Sequence, residues 1–403
     1  MRFAFRSFTV TIAAATLSSF VAPPGAGLSA MADGQALSGR WEQVAEFSGP
    51  GLTGDSLGGT VAISGSTVMV GQNGDARPGL SHVYVLAKSS SGWRDVSQVS
   101  ASGTTAKDGF GWAIAVAGNT AVIGSLFHSS ASGLAYVFDK TPGGWRQSAE
   151  LAGPGVLPGD EFGGSVDVLS NTIAVGAPAA WDSTGPGRVY VFDRTASGWQ
   201  ATAELAGSGT VAGDWFGGSV AMSATTIVVG APALYTSRAG RAYVFTKTAT
   251  GWRQSAELVG PGTKGGDGFG SSVGIAGNTI VIGTQEPAQA AGQAYVFTKT
   301  SAGWHLSAQL TGSDARTGDY VGSVAISDGT IVVGAFGHDR GTGTVYVFNK
   351  FSNGWQQSAE LVGSGTNPGD WFGDALALEG NDLVVGASGN TPLSGKAYIF
   401  ARR

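Results

Sequence analysis

The chain has no cysteine, and only four histidines and four methionines among its 403 residues. The missing cysteine excludes a disulfide framework, thiolate-bound metal and a thiol nucleophile, so packing alone must hold the fold. Charge is scarce as well. Asp, Glu, Lys and Arg make up 13% of the chain, about half the usual share. The balance is mildly acidic, 28 carboxylates against 23 basic side chains. That argues against nucleic acid or an anionic lipid surface as a partner. His82, His128, His305 and His338 show no helical zinc spacing, and no metal and no cofactor is expected. Beyond the first 32 residues no apolar run approaches the ~20 residues of a membrane span.

Those first residues read differently. Arg2 and Arg6 precede an apolar run from Phe8 to Val21, and Ala30-Met31-Ala32 has the small-x-small form of a cleavage site. Residues 1–32 are expected to be a secretory signal peptide. The protein is then secreted, extracellular or periplasmic, with no membrane span left after removal. Removal would leave 21 of the 23 basic residues against all 28 acidic ones, a net charge of −7.

What the chain has in excess is glycine, 67 residues, together with 42% hydrophobic residues. Short strands and tight turns suit that mixture. They also repeat. Trp recurs at 41, 93, 145, 199, 252, 304 and 355. Asp55, Asp108, Asp160, Asp214, Asp267, Asp319 and Asp370 recur in step, each three residues before a Gly. One unit reads as four strands: Gly218–Ser223, Thr226–Gly230, Arg241–Lys247 and Trp252–Leu258. The first three are apolar on both faces, as a strand covered above and below must be. The fourth carries Arg253, Gln254 and Glu257, which suits a wet outer edge.

Four strands per ~50 residues, seven times over, predict an all-β, seven-bladed β-propeller of four-stranded antiparallel blades spanning residues 33–403. The chain ends are complementary. Trp41–Phe47 reads as a fourth strand and Lys396–Phe400 as a third. The N-terminal strand is therefore expected to complete the last blade and close the ring.

Phe162-Gly163 with Gly176-Ala177-Pro178, and Phe216-Gly217 with Gly230-Ala231-Pro232, resemble the FG-GAP repeat. That repeat builds the propeller of integrin α chains and of many bacterial secreted proteins. The resemblance implies the same fold for residues 40 to 403. Integrin blades bind Ca²⁺ through an acidic loop between first and second strands. Here those loops are Ser64-Gly65-Ser66, Ala117-Gly118-Asn119, Ser223-Ala224-Thr225 and Ser327-Asp328-Gly329. They are too short and too poor in carboxylates to supply the six to eight oxygens of Ca²⁺.

Other motifs dissolve on inspection. Gly49–Gly54 and Gly260–Gly265 fit a dinucleotide fingerprint, yet each lies between two strands, with no helix to follow. Gly270–Gly274 fits a nucleophile elbow, but it lies inside a first strand, where Ser165 and Ser219 repeat Ser272. The seven repeated Asp residues are read as structural, each accepting backbone N–H bonds in a blade-to-blade loop. His338-Asp339-Arg340 is read as a solvated loop tip.

Function is expected where the repeats differ, on the face that carries the second-to-third and blade-to-blade loops. The candidate binding residues are Trp181, Asp182, Tyr235, Arg238, His338, Asp339, Arg340, Trp215, Tyr320 and Trp371. Aromatics beside carboxylates and Arg suit a sugar or a protein hot spot. The expected protein is a monomeric, non-enzymatic binding or adhesion module for an extracellular protein or glycan. A polysaccharide hydrolase or lyase on the same face, or a structural cell-envelope protein, are the alternatives.

Overall fold

The computed structural model describes residues 39–49, 56–72, 82–105, 107–180, 185–285, 291–389 and 395–403. The expected signal peptide, Asp55, Trp181 and Asp182 lie outside the described residues. Seven four-stranded antiparallel sheets surround one axis. Blade 4 is representative, with β14 (Ser219–Ser223), β15 (Thr226–Ala231), β16 (Arg241–Thr248) and β17 (Gly251–Leu258). Blade 6 is built from β22 (Val321–Ser327), β23 (Thr330–Ala335), β24 (Thr344–Phe351) and β25 (Gly354–Leu361). No helix among the described residues is long and apolar enough to cross a membrane.

The ring closes through the N-terminal strand. The seventh sheet runs β1 (Trp41–Ser48), β28 (Lys396–Arg402), β27 (Asp382–Ala387), β26 (Phe372–Glu379). Strand β1 takes the place of a fourth strand. Gln43 binds Ser364 through both its amide atoms, as Gln254 binds Ser208 and Gln357 binds Ser313. Arg402 lies over Trp41 at 5.5 Å, as Lys247 lies over Trp252 at 5.6 Å. These cation–π contacts clamp the outer hairpin of each blade.

Glycine decides how closely the blades approach. Residues such as Gly163, Gly217 and Gly270 have φ of +91°, +93° and +94°, a conformation that costs glycine little. Each turns its carbonyl onto a second-strand glycine of the preceding blade. A Cβ at Gly176 would lie 2.1 Å from the Gly217 oxygen, and one at Gly230 only 1.9 Å from that of Gly270. The same contact closes the ring, where Gly386 meets the Gly58 oxygen. The Phe-Gly and Gly-Ala-Pro halves of the motif are therefore the two sides of a blade junction.

Hydroxyls latch the same junction. Ser165 donates to the Gly217 carbonyl at 2.7 Å, Ser219 to Gly270 at 2.8 Å and Thr60 to Gly111 at 2.7 Å. The repeated Ser thus holds blades together near the axis. One junction adds a carboxylate. Asp167 is fully buried and accepts N–H bonds from Val168 and from Met222 of the next blade. Burial pushes its carboxyl up to about 8, against the lowering pull of those two donors.

The outer edge is blunted in a regular way. In blades 2 to 6, one residue of the fourth strand bulges out of register, and its hydroxyl turns back to a third-strand carbonyl, as Ser255 does to Val244. A bulge twists the edge away from foreign strands.

Candidate binding face

Hairpin turns between strands 1 and 2, and between strands 3 and 4, share one face of the ring. The opposite face carries the longer loops, which join strand 2 to strand 3 and one blade to the next.

On this second face every described repeated Asp makes the same two-part contact. Its amide closes a turn on the residue three before it, and its carboxylate accepts that residue's N–H. The distances are 2.7 Å for Asp108, 2.8 Å for Asp160, 2.9 Å for Asp214, 2.5 Å for Asp267, 2.7 Å for Asp319 and 2.8 Å for Asp370. In five blades the Asp carbonyl also receives an N–H from the end of the second strand, for example from Ala233 to Asp214 at 3.1 Å. One residue thereby ties two loops into a single rigid rim.

The residue after each Asp is left-handed. Gly109 and Gly268 fill that place in blades 2 and 5, with φ of +68° and +66°. Ser56 fills it in blade 1, at +41°, and in blades 3, 4, 6 and 7 it is Glu161, Trp215, Tyr320 and Trp371, at +61°, +59°, +52° and +58°. A non-glycine residue there costs on the order of 1–2 kcal/mol. Three of these five strained positions present large aromatics, half-buried on the loop face. Such outliers persist only where the surroundings over-determine them. Glu161 is buried and caps the loop by accepting the Ala180 N–H at 3.0 Å.

The aromatics form two groups. In blade 4, Trp215 meets Tyr235 edge-on at 5.4 Å, and Tyr235 is 58% exposed. Between blades 6 and 7, Tyr320 stacks on Phe336 at 5.0 Å, and Phe336 meets Trp371 at 5.9 Å. The Trp371 ring also covers Gly341, and the Trp371 backbone N–H donates to the Gly341 carbonyl at 2.8 Å. Phe336 belongs to this strip but stands outside the sequence-based candidates. Its signal was available, because blades 3 and 4 carry Pro178 and Pro232 after the second strand where blade 6 has Phe336.

The charged candidates are engaged in holding loops. Arg238 pairs with Asp214 at 3.4 Å and donates to the Gly209 carbonyl at 3.1 Å. Asp339 and Arg340 are exposed, with φ of +46° and +64°, and with Gly341 at +84° they make one left-handed turn. His338 corrects its reading as a solvated tip. Its ring turns inward and sits 2.9 Å from the buried Asp319 carboxylate.

Five blades also carry a Phe-centred aromatic core behind the rim; blades 1 and 6 have Leu57 and Val321 in its place. Phe216 packs edge-on against Tyr243 and Phe245, and Phe372 against Tyr398 and Phe400. The FG-GAP repeat model matches six segments, residues 93–138, 145–192, 199–245, 252–297, 304–348 and 355–400. The chain belongs to the FG-GAP repeat family. No curated protein matches it. Each matched segment starts at the Trp of one blade's fourth strand and stops at the Phe of the next blade's third strand. The FG-GAP unit is thus offset by one strand from the blade. That offset is why the strand left over at one end of the chain completes the blade begun at the other.

Proposed function

We propose that this FG-GAP propeller is an exported, non-enzymatic binding module that takes a glycan on its loop face. The observation that carries the reading is Tyr235. It is 58% exposed, and it is braced by Trp215 on a rim held through Asp214 and Arg238. A large aromatic left in water on a rigid scaffold is a ready anchor for a ligand. The exposed apolar residues on this face, Phe127, Leu157, Val211, Tyr235, Val259 and Val362, are spread over several blades and interleaved in sequence with polar loop residues. A protein partner needs a contiguous patch of about 800 Å². A sugar ring needs one aromatic plane with hydroxyl partners beside it. Binding is favoured over catalysis because Asp214, Asp319 and Arg238, groups that could do chemistry, are occupied in fixing loops.

Export rests on Arg2, Arg6, the apolar run and the Ala30-Met31-Ala32 signal. Amino-terminal sequencing of the secreted protein should begin at Asp33; recovery of Met1 would contradict export. A glycan array probed with wild type and with Tyr235→Ala tests the ligand class. Wild type should bind a defined set of glycans and the variant should lose it. An array on which wild type binds nothing contradicts the reading.

A further inference from the structure

Blade 6 departs from its siblings at three places that meet in space. Five other blades have glycine five residues before the repeated Asp: Gly103, Gly155, Gly209, Gly262 and Gly365. Blade 6 has Asp314. In blades 3, 4 and 7 the outer-strand Glu is neutralised by a cation that opens the third strand. Those pairs are Glu204 with Arg188, Glu257 with Arg241 at 2.8 Å, and Glu46 with Lys396 at 2.7 Å. In blade 6 the cation's place is taken by Thr344, which only donates a hydroxyl to Glu360 at 3.3 Å. The third change is His338, whose ring stands between the two carboxylates. Its counterpart exists only in blade 2, as His128.

The imidazole is oriented for a ligand. Asp319 Oδ2 accepts a hydrogen bond from Nδ1–H at 2.9 Å, which leaves Nε2, on the side of Asp314, as the ring atom able to take a ligand. Nε2 lies 3.6 Å from Asp314 Oδ2, too far for a good hydrogen bond. Two ligands on one tetrahedral ion at ~2.05 Å would stand about 3.3 Å apart. Ligand atoms of Asp314, His338 and Glu360 all lie within 4.8 Å of one another. The second carboxylate is oriented too. Tyr346 donates its phenol to Asp314 Oδ1 at 2.8 Å, where the corresponding Tyr243 in blade 4 donates to the Ser208 backbone carbonyl. A carboxylate behind the histidine and a phenol behind the aspartate are outer-shell supports of the kind that fix metal ligands. Among the described residues no Lys or Arg pairs with Asp314 or Glu360; His338 is the one basic group beside Asp314, and Glu360 accepts only the Thr344 hydroxyl.

We infer that blade 6 binds one divalent transition-metal ion of the zinc class through Asp314, His338 and Glu360. One nitrogen and two oxygens exclude the all-oxygen preference of Ca²⁺ and Mg²⁺. Three protein ligands leave a fourth position open to water or to a ligand on the loop face. The site lies away from the hairpin loops that hold Ca²⁺ in the integrin relatives. Its residues are 24 and 22 apart along the chain, and no motif spacing connects them.

Blade 2 supplies the control. His128 Nδ1 is 3.3 Å from Asp108 without hydrogen-bond alignment, and Gly103 stands where blade 6 has Asp314. Calorimetric titration of the untagged protein with ZnCl₂, and separately with CaCl₂, decides the matter. One Zn²⁺ per chain is expected, with Ca²⁺ at least a hundredfold weaker. Asp314→Gly, which installs the residue five other blades carry, and Glu360→Gln should each weaken Zn²⁺ at least tenfold while the melting temperature without metal stays near wild type. His128→Ala should bind as wild type does. Absence of Zn²⁺ binding, equal affinity for Ca²⁺, or wild-type affinity in Asp314→Gly and Glu360→Gln would each overturn the assignment.

Discussion

The two faces of the ring are built from the same seven repeats and have diverged to different degrees. On the hairpin face the first turns are short and interchangeable, from Gly65-Ser66 to Gly380-Asn381. On the loop face the place after the repeated Asp holds Gly, Ser, Glu, Trp or Tyr, and the second-to-third loops differ in length and charge. The difference follows from the junctions. Residues in the first and second strands are pinned against the next blade at contacts where a single methyl group does not fit. Loop residues beyond the Asp turn are not held to that inter-blade fit. Variation collects where the scaffold tolerates it, and with it the capacity to bind.

The contrast can be broken from the scaffold side. Deleting Trp41–Ser48 leaves the seventh sheet without its outer strand and exposes β28. Stability should fall by several kcal/mol, because a strand ladder and the buried Trp41 are lost together. An unchanged melting temperature would mean that the ring does not depend on its closing strand. A smaller but still severe effect is expected from Gly230→Ala. Its Cβ would fall 1.9 Å from the Gly270 oxygen and 2.3 Å from the Ser219 hydroxyl. Overpacking of that kind costs about 1–3 kcal/mol, measurable by urea denaturation. A neutral outcome would show that blades can slide apart.

Asp167 sharpens the comparison in another way, as a carboxylate buried at a blade junction. Its folded-state pKa is raised to about 8, above ~3.9 in the unfolded chain. Between those values the unfolded state releases the proton and the folded state keeps it. The contribution therefore favours folding least above pH 8, and stability should fall as pH rises from about 4 to about 8. The slope amounts to a few kcal/mol over the window and should vanish in Asp167→Asn. Parallel pH profiles of the two proteins would contradict it. The mildest perturbation is Lys299→Gln beneath Trp304, where the 5.7 Å cation–π contact is exposed. A loss of about 0.5–1 kcal/mol is expected by thermal melting, and a larger one would give the outer clamp more weight than the closing strand's role implies.

The scaffold was legible in the sequence because its constraints recur. Trp spacing, the Asp-x-x-Gly step and the apolar third strands each appear seven times in phase, and the complementary ends foretold β1 beside β28. Strand limits moved by one or two residues, as for β16, which runs through Thr248. The face was legible only in outline. That His338 turns inward depends on Asp319 and Asp314, which belong to a different loop, and local sequence shows only a polar tripeptide. Phe336 was missed because a lone Phe at a strand end does not announce the Tyr320 and Trp371 rings it joins. Glu360 matters through a missing partner, which shows only after the blades are superposed in register. Trp181 and Asp182 lie outside the described residues.

The central claim is that the uniform scaffold gives stability and the variable face gives recognition. Tyr235→Ala tests it most directly, by measuring thermal melting and affinity for the array-selected glycan on the same preparation. The account predicts a melting temperature close to wild type and at least a tenfold loss of affinity, about 1.4 kcal/mol or more. Full affinity with a loss of ~3–5 kcal/mol in stability, the mark of a buried structural aromatic, would contradict it.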